Sequence, residues 1–438
     1  VNIAVIGTGY VGLVTGVCLS EIGNDVTCID IDEEKVETLR SGKSPIYEEG
    51  LEELLQTNIQ RERLHFTSNY EEGLAAKEVI FLAVGTPQGA DGSADLTFLN
   101  TVCSDIVKYL HNDVVLVTKS TVPIGTNEHI KANIERIAVT NLSVRVVSNP
   151  EFLRQGSAVY DTFNGDRIVL GSEDDEAMEI MEEIYRPYNI PIVKTDLRSA
   201  EMIKYASNTF LATKISFINE IANLCEHVGA NVDDVANGIG MDSRIGGRFL
   251  KAGIGYGGSC FPKDTNAIIT LGNRVDYPMF ILESVQYVNE KQTDLLVDKI
   301  IKRFSGSIEN KTIAILGLAF KANTDDMRGA PSIQVAHRII DAGAKINAYD
   351  PVAVENAKSV LPKEVNYERT IEGALNQANC AVILTDWKEI KEYPISLFRQ
   401  HLSYPMVFDG RNCFSLEKFN GSDIEYHSVG RPAINRQN

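Results

Sequence analysis

Cys260 stands in the run Lys251-Ala252-Gly253-Ile254-Gly255-Tyr256-Gly257-Gly258-Ser259-Cys260-Phe261-Pro262-Lys263-Asp264, which has too many glycines for a helix or a strand. Glycine at that density lets backbone approach another group closely. Pro262 suits the first turn of a helix, where its missing N–H would be unpaired anyway, so Cys260 is expected just before a helix N-terminus. That place, with Lys263 beside it, favours the thiolate, a nucleophile toward a carbonyl carbon. Asp264, four residues on, is expected on the same face. The remaining cysteines, Cys18, Cys28, Cys103, Cys225, Cys380 and Cys413, read as small buried hydrophobes. An odd number without CxxC spacing suggests neither a disulfide framework nor a zinc site, and the histidines form no ligand cluster.

A second group lies upstream. Lys204 and Asn208 are four residues apart in a helical stretch and therefore share a face. An ammonium beside a carboxamide can stabilise an oxyanion while hydride leaves carbon, and a desolvated lysine can act as a base. Spacing alone leaves a solvated helix face equally open.

The third group opens the chain. After the strand VNIAVI comes Gly7-Thr8-Gly9-Tyr10-Val11-Gly12, then a helical stretch and the strand DVTCID, which ends on Asp30. In this strand-turn-helix context the glycines permit a tight turn, the approach of a pyrophosphate and close helix packing, while the helix N-terminus offers unpaired N–H groups. Asp30 is placed to accept from ribose hydroxyls and would repel a 2′-phosphate, so the cofactor is expected to be NAD rather than NADP. Lys35 is expected near the same ribose, with a solvated helix lysine as the alternative. Three polar segments follow strand-like runs: Gly85-Thr86-Pro87, Lys119-Ser120-Thr121-Val122-Pro123 and Asn149-Pro150-Glu151-Phe152-Leu153. In register, they line a cleft at the carboxyl ends of a parallel sheet. These groups together indicate an NAD-dependent dehydrogenase with a cysteine that takes part covalently.

The elements that position these groups follow from periodicity. VNIAVI, DVTCID, VIFLAV, VVLVT, VRVVS and RIVLG alternate with helical stretches, which predicts a parallel sheet covered on both faces. From Ser199 the stretch EMIKYASNTFLATKISFINEIANLCEHVG holds helical spacing for some seven turns, ends at Gly229 and links two domains. A second strand-turn-helix start, KTIAILGLAFK, begins another α/β pattern in which GLAF replaces the glycine fingerprint. The fold class expected is α/β, with two Rossmann-like doubly wound domains joined by a long central helix. The last dozen residues, ending GRPAINRQN, read as a loosely held tail.

At 438 residues the chain exceeds one ordinary core. A net charge of −18 argues against a nucleic-acid surface, which needs clustered cations. Val1–Ile6 reads as a buried strand rather than a signal segment, and no apolar run approaches the roughly 18 residues of a membrane span. No membrane partner is expected, and the cytoplasm is the expected location.

GTGYVGL, GTP, KSTVP, NPEFL, EMIKYASN, GGSCFPKD and GLAFK, spread over essentially the whole chain, make it similar to the UDP-glucose and GDP-mannose dehydrogenases. FLKAGIGYGGSCFPKD resembles the UDP-glucose branch. The resemblance implies oxidation of the C6 alcohol of UDP-glucose to a carboxylate, with two NAD reduced. It implies Cys260 as the nucleophile that holds a thiohemiacetal and then a thioester. Lys204 and Asn208 would stabilise oxyanions, while Asp264, Thr121 and Glu151 position and activate water. Beside NAD it implies Tyr10, Val11, Thr86, Thr121, Lys263 and Arg328 in addition to the glycine loop, Asp30 and Lys35. The family commonly has glutamate where this chain has Gln155, in a segment that contacts the cofactor, and an amide donates where a carboxylate only accepts. On the substrate side the resemblance implies Glu151, Phe152 and Leu153, then Phe249, Leu250, Lys251, Gly253 and Gly257, then Phe320, Lys321 and Arg411. Arg244 would reach the substrate of a neighbouring subunit in a homodimer. The domains implied are 1–195 for NAD, 196–300 for a helical linker and dimerisation, and 301–438 for the UDP-sugar. Two rivals use the same features: a two-electron hydroxy-acid dehydrogenase, and a silent NAD-binding sensor that would lack the Cys, Lys or Asp present here.

Overall fold

The computed structural model describes residues 1–137 and 142–435. The chain divides into two compact units, Val1–Ser207 with Asn266–Leu271, and Asn208–Thr265 with Gly272–Asn438. The division passes through two helices, Phe261–Arg274 and the longer Leu197–Val228, whose 32 residues include no helix breaker. Gly229, at φ +76°, ends it.

In the first unit the described residues form an eight-stranded sheet. The strands are β1 (Asn2–Ile6), β2 (Asp25–Ile29), β3 (Leu64–Thr67), β4 (Val79–Leu82), β5 (Val114–Thr118), β6 (Val144–Ser148), β7 (Ile168–Gly171) and β8 (Ile192–Thr195). Their order is β3-β2-β1-β4-β5-β6-β7-β8, so the first six follow the dinucleotide-binding arrangement. Both faces are covered, which is why these strands are nearly continuous apolar runs. Ile3 and Val5 pack into one cluster with Leu13 and Val17, while Ala4 and Ile6 pack into another with Leu99 and Ile130. Two strands escape the periodicity argument: β3 (LHFT) and β8 (IVKT) are edge strands with mixed exposure and no long apolar run. β7 also departs from the all-parallel expectation. It meets β6 antiparallel at Ser148↔Gly171, because the chain leaving β6 turns back through the short helix Ala158–Phe163 instead of crossing over.

The second unit repeats the plan. Its strands, β9 (Thr312–Leu316), β10 (Lys345–Tyr349), β11 (Asn366–Tyr367), β12 (Cys380–Ile383), β13 (Met406–Asp409) and β14 (Glu425–His427), are ordered β11-β10-β9-β12-β13-β14 and pair in parallel. The repeat extends to hydrogen bonds: Gly7 N donates to Ile29 O at 2.8 Å, and Gly317 N donates to Tyr349 O at 2.7 Å. The acid ending the second strand is used differently. Asp350 accepts from the amides of Leu318, Ala319, Val352 and Ala353 and from Trp387 Nε1, and only 4% of it is exposed. It is a buried staple with nothing left for a ribose, so GLAF does not open a second dinucleotide site.

The tail differs from the sequence expectation as far as it is described. Gly430 N donates to Glu226 Oε1 at 2.8 Å, and buried Arg431 donates to Asp233 Oδ2 at 2.9 Å and to the Tyr426 hydroxyl at 2.8 Å. A buried guanidinium held by such partners fixes the segment. Residues 436–438 lie outside the described residues. Among the described residues no helix is long and apolar enough to cross a membrane, and no group of His, Cys, Asp and Glu is arranged for a metal.

Candidate active site

In the first unit, the helix Tyr10–Glu21 starts at Gly9 with no side-chain cap among the described residues. Its first amides therefore have no partner within the helix. A Cβ on Gly9 would meet nothing within 4 Å, whereas one on Gly12 would stand 1.9 Å from Gly7 O. Open space at Gly9 over uncapped amides fits an anionic pyrophosphate, and Gly12 is required for the helix to pack. Asp30 Oδ2 accepts from Thr8 N (2.8 Å), Thr8 Oγ1 (2.6 Å) and Lys35 Nζ (3.1 Å). Burial pushes its carboxyl up, but these donors and the Asp32 amide hold it below the ordinary value. Asp30 therefore stays an acceptor, and Lys35 is tied to it rather than free in solvent. The residues present fit NAD.

The polar segments sit after β4, β5 and β6 and are bonded to one another. Thr86 Oγ1 donates to Thr121 O at 2.7 Å, and Asn149 N donates to Thr118 O at 2.9 Å. Glu151 Oε2 accepts the Leu153 amide at 2.6 Å, and Glu151 Oε1 accepts from Lys204 Nζ at 3.2 Å, with both side chains buried. Phe152 lies under Lys204 (5.3 Å to the ring centroid) and Arg167 (3.7 Å). Leu153, Tyr10 and Val11 pack against the core. Lys204 is thus a buried cation beside a carboxylate, which rules out the solvated helix face. Lys119 was not singled out in the sequence. Its Nζ donates to Asn149 Oδ1 at 3.1 Å, and burial, opposed by Glu151 and assisted by Lys204, pushes its pKa down to about 8.

Two buried glutamates hold these segments and were also missed. Glu48 accepts from the Tyr10 hydroxyl, the Gly156 amide (2.8 Å) and the Ala158 amide (2.7 Å), clamping the turn that contains Gln155 to the glycine loop. Glu201, one turn before Lys204, accepts from the amides of Gly125 and Asn127 at the start of the helix Thr126–Ile137. Burial raises its carboxyl above the ordinary value despite these donors. In the sequence, only its i−3 relation to Lys204 hinted at this.

In the second unit, the helix Phe261–Arg274 begins where Pro262 predicts. Cys260 caps it, accepting the Asp264 amide on its carbonyl at 2.8 Å. Of the seven free cysteines Cys260 alone is exposed. Asp264, 1% exposed, accepts from Asn208 Nδ2 at 2.6 Å and pairs with Lys263 Nζ at 3.0 Å. Asp264, Asn208 and Lys263 are therefore one cluster, to which Cys260 is joined through its backbone carbonyl, and Lys204 is one turn from Asn208 on the same helix. One of the two Asn208 N–H groups remains for an oxyanion.

The glycine-rich run is held from several sides. A Cβ on Gly257 would stand 2.1 Å from Gly329 O, so only glycine fits, and Gly258 N donates to Arg328 O at 2.8 Å. Asn289 Oδ1 accepts the Tyr256 amide, Gln292 Nε2 donates to Gly253 O, and Asn219 Oδ1 accepts the Gly253 amide. Asn289 and Gln292 come from a helix without a chemical signature, Phe280–Arg303, and Asn219 from the helix that carries Lys204 and Asn208. Arg411 donates to the carbonyls of Leu384, Gly255 and Phe320 at 2.8–3.0 Å. Burial lowers its pKa from the usual arginine value. It holds three loops in place as well as offering its remaining N–H groups. Lys321 Nζ lies 5.6 Å from the Phe320 ring centroid, and Lys251 Nζ lies 3.7 Å from Asp386. Phe249 has φ +64°, a strained conformation for an aromatic residue, and packs edge-on to Phe261. Leu250 is different: its side chain is buried with Ile218 and Ala252, leaving only its backbone for a ligand. Arg328 and Arg244 extend into solvent, each doubly bonded to the aspartate two residues before it.

The described architecture agrees with three family models that together span most of the chain. The NAD binding domain of the UDP-glucose/GDP-mannose dehydrogenase family matches residues 1–189, its central domain residues 198–291 and its UDP binding domain residues 314–416. The chain is 55% identical over 433 residues to the UDP-glucose 6-dehydrogenase YwqF of Bacillus subtilis, covering 99% of this chain and 98% of that protein. It is 44% identical to the UDP-glucose 6-dehydrogenase of Rhizobium meliloti, covering 98% and 100%. Among solved structures, a UDP-glucose dehydrogenase from Pyrobaculum islandicum superposes with a TM-score of 0.91 at 37% identity, covering 98% of each chain.

Proposed function

The chain belongs to the UDP-glucose/GDP-mannose dehydrogenase family, and from that premise we propose that it oxidises UDP-glucose to UDP-glucuronate through a covalent intermediate on Cys260. One observation carries this reading: the single exposed cysteine caps a helix whose first turn presents Asp264, bonded to Asn208. Full-length similarity to UDP-glucose 6-dehydrogenases supports the substrate.

NAD, when bound, supplies the hydride acceptor for each of two oxidations. As hydride leaves C6, the hydroxyl proton passes to a water beside Asp264, and Lys204 and Asn208 stabilise the C6 oxygen, the ammonium doing so from a buried position where its field is little screened. Cys260 Sγ adds to the resulting aldehyde carbon, forming a thiohemiacetal whose oxygen is held by the same donors. Loss of the second hydride leaves a thioester on Sγ. Thr121 and Glu151 position water, and Asp264 receives its proton as it adds to the acyl carbon. The carbon–sulfur bond then breaks, giving the carboxylate and the free thiol. Gly7, Gly9, Gly12, Tyr10, Val11, Thr86, Asp30, Lys35, Gln155, Lys263 and Arg328 serve the cofactor. Phe152, Leu153, Phe249, the Leu250 backbone, Lys251, Gly253, Gly257, Phe320, Lys321 and Arg411 serve the sugar nucleotide.

The reading includes a homodimer, with Arg244 reaching the partner's substrate. Phe210, Phe217 and Leu224, exposed on the central helix at seven-residue spacing, support it, because that spacing is the seam of helix pairing. Seven free cysteines support work in the reducing cytoplasm. A panel of nucleotide sugars assayed for NADH release tests the substrate. UDP-glucose should yield two NADH per molecule, and one NADH would return a two-electron dehydrogenase.

A further inference from the structure

Asn412 follows Arg411 directly and has φ +49°, in the left-handed region that few side chains adopt. Its buried carboxamide pairs with the backbone of one distant residue: Nδ2 donates to Val429 O at 2.8 Å, and Oδ1 accepts the Val429 amide at 2.9 Å. Asp409 holds the same turn from the other side. It is fully buried; Oδ1 accepts the Arg411 amide at 2.9 Å, and Oδ2 accepts the Cys413 amide at 2.7 Å and the Tyr426 hydroxyl at 2.8 Å. That hydroxyl in turn accepts from Arg431 Nη2 at 2.8 Å. The backbone on both sides of Arg411 is thus gripped by groups from residues 426–431.

The segment Ser428–Arg431 is itself tied to helices of the same unit. Gly430 N donates to Glu226 Oε1 and Gly430 O accepts the Val232 amide, each at 2.8 Å, and Lys299 Nζ donates to Ser428 O at 2.7 Å. A Cβ on Gly430, at φ +72°, would stand 2.5 Å from Ala222 Cβ, so only glycine lets the segment lie this close. Val429 belongs to the apolar cluster of Ile218, Leu250 and Ala252. Resting on the reading of Arg411 as a sugar-nucleotide contact, we infer that Ser428–Arg431 is a strap that positions this site, and that Asn412 is the positioning residue through which it sets Arg411. Three of the Arg411 nitrogens already bond carbonyls, and a guanidinium is a rigid fork, so its remaining N–H groups point where its backbone carries them. Without the Val429 pair nothing holds Asn412 in its unfavourable conformation, and its relaxation turns the adjoining Arg411 backbone.

The test is a double-mutant cycle read as Kd for UDP, by calorimetric titration into the full-length protein. Asn412→Gly keeps the left-handed backbone free of strain and removes the two bonds to Val429. It should weaken UDP by roughly fivefold, the value of a lost hydrogen bond, with Kd for NAD unchanged. Tyr426→Phe removes the hydroxyl between Arg431 and Asp409, keeps the ring and should also weaken UDP. In an Arg411→Ala background neither change should have a further effect, because both act through Arg411. A merely structural role would lower the denaturant midpoints and leave UDP affinity at the wild-type value. Unchanged UDP affinity in either variant, or losses that simply add in the double variants, overturns the proposal. Should Asn412→Gly not fold, Tyr426→Phe carries the same cycle. If Arg411→Ala alone binds UDP as wild type does, the reading of Arg411 fails and the strap with it. If Arg411→Ala loses UDP while Asn412→Gly retains it, only the strap fails. If the cycle comes out as predicted but UDP-glucose yields no NADH, the proposed function fails and the strap stands.

Discussion

Asn208 Nδ2 donates to Asp264 Oδ2 at 2.6 Å, joining residues 56 apart in sequence in a buried contact. The bond fixes the Asn208 carboxamide and presents its second N–H. It also occupies one Asp264 oxygen, with Lys263 paired to the other. Asp264→Asn preserves the shape and removes the charge. It should lower kcat by about 10²-fold or more, the usual contribution of a positioned base, while NAD affinity is retained. Steady-state kinetics with NAD binding followed by fluorescence checks it, and an unchanged kcat would remove Asp264 from the chemistry.

Cofactor choice tests the other end of the chain. Asp30, held ionised by Thr8 and Lys35, would face a 2′-phosphate with like charge. NAD should therefore be far the better substrate by kcat/KM. Asp30→Ser should narrow the gap mainly by raising KM for NAD, and equal use of the two cofactors by wild type would contradict the assignment.

Lys119 predicts a pH dependence of stability. Its folded pKa, pushed down by burial to about 8, lies below the ordinary 10.5. Below pH 8 the group is charged in both states and the cost of burying it is fully present. Between the two values the unfolded chain binds more protons, so stability rises with pH by about 1.4 kcal/mol per unit through this group. Denaturant midpoints of wild type and Lys119→Met should therefore shift in favour of wild type between pH 8 and 10. A pH-independent difference would show that Lys119 titrates at its ordinary value.

The bonds of Arg411 to three carbonyls separate its charge from its shape. Arg411→Lys keeps the charge but cannot span three loops. It should raise KM for UDP-glucose much as Arg411→Ala does, with KM for NAD less affected. Lys321→Ala should also raise KM for UDP-glucose in preference to NAD. Unchanged KM for UDP-glucose in all three would move the sugar nucleotide elsewhere.

The chemistry was legible where it is local. Cys260 before Pro262, the Lys204/Asn208 spacing and the Gly7–Gly12 turn each carry their reason within a few residues, and the two largely parallel sheets follow from apolar runs. What could not be read depends on neighbours distant in sequence. The partner of Asn208, the burial of Lys119, the Glu48 clamp on Gly156 and the Glu201 cap arise only when separate strands and helices meet. The antiparallel β7 likewise follows from how one connection turns. Leu250 marks the reverse case, where a residue in a functional run uses its side chain for the core.

Mass spectrometry of the intact protein after reaction with UDP-glucose and NAD tests the central claim most directly, because two oxidations without release of a reactive aldehyde need a covalent hold on the carbon. Cys260→Ser keeps a nucleophile of similar size, but an ester hydrolyses less readily than a thioester. The account predicts that Cys260→Ser accumulates a sugar-nucleotide adduct that survives denaturation, and that Cys260→Ala makes no acid while still binding NAD. Full production of UDP-glucuronate by Cys260→Ala, with no adduct on Cys260→Ser, would contradict it.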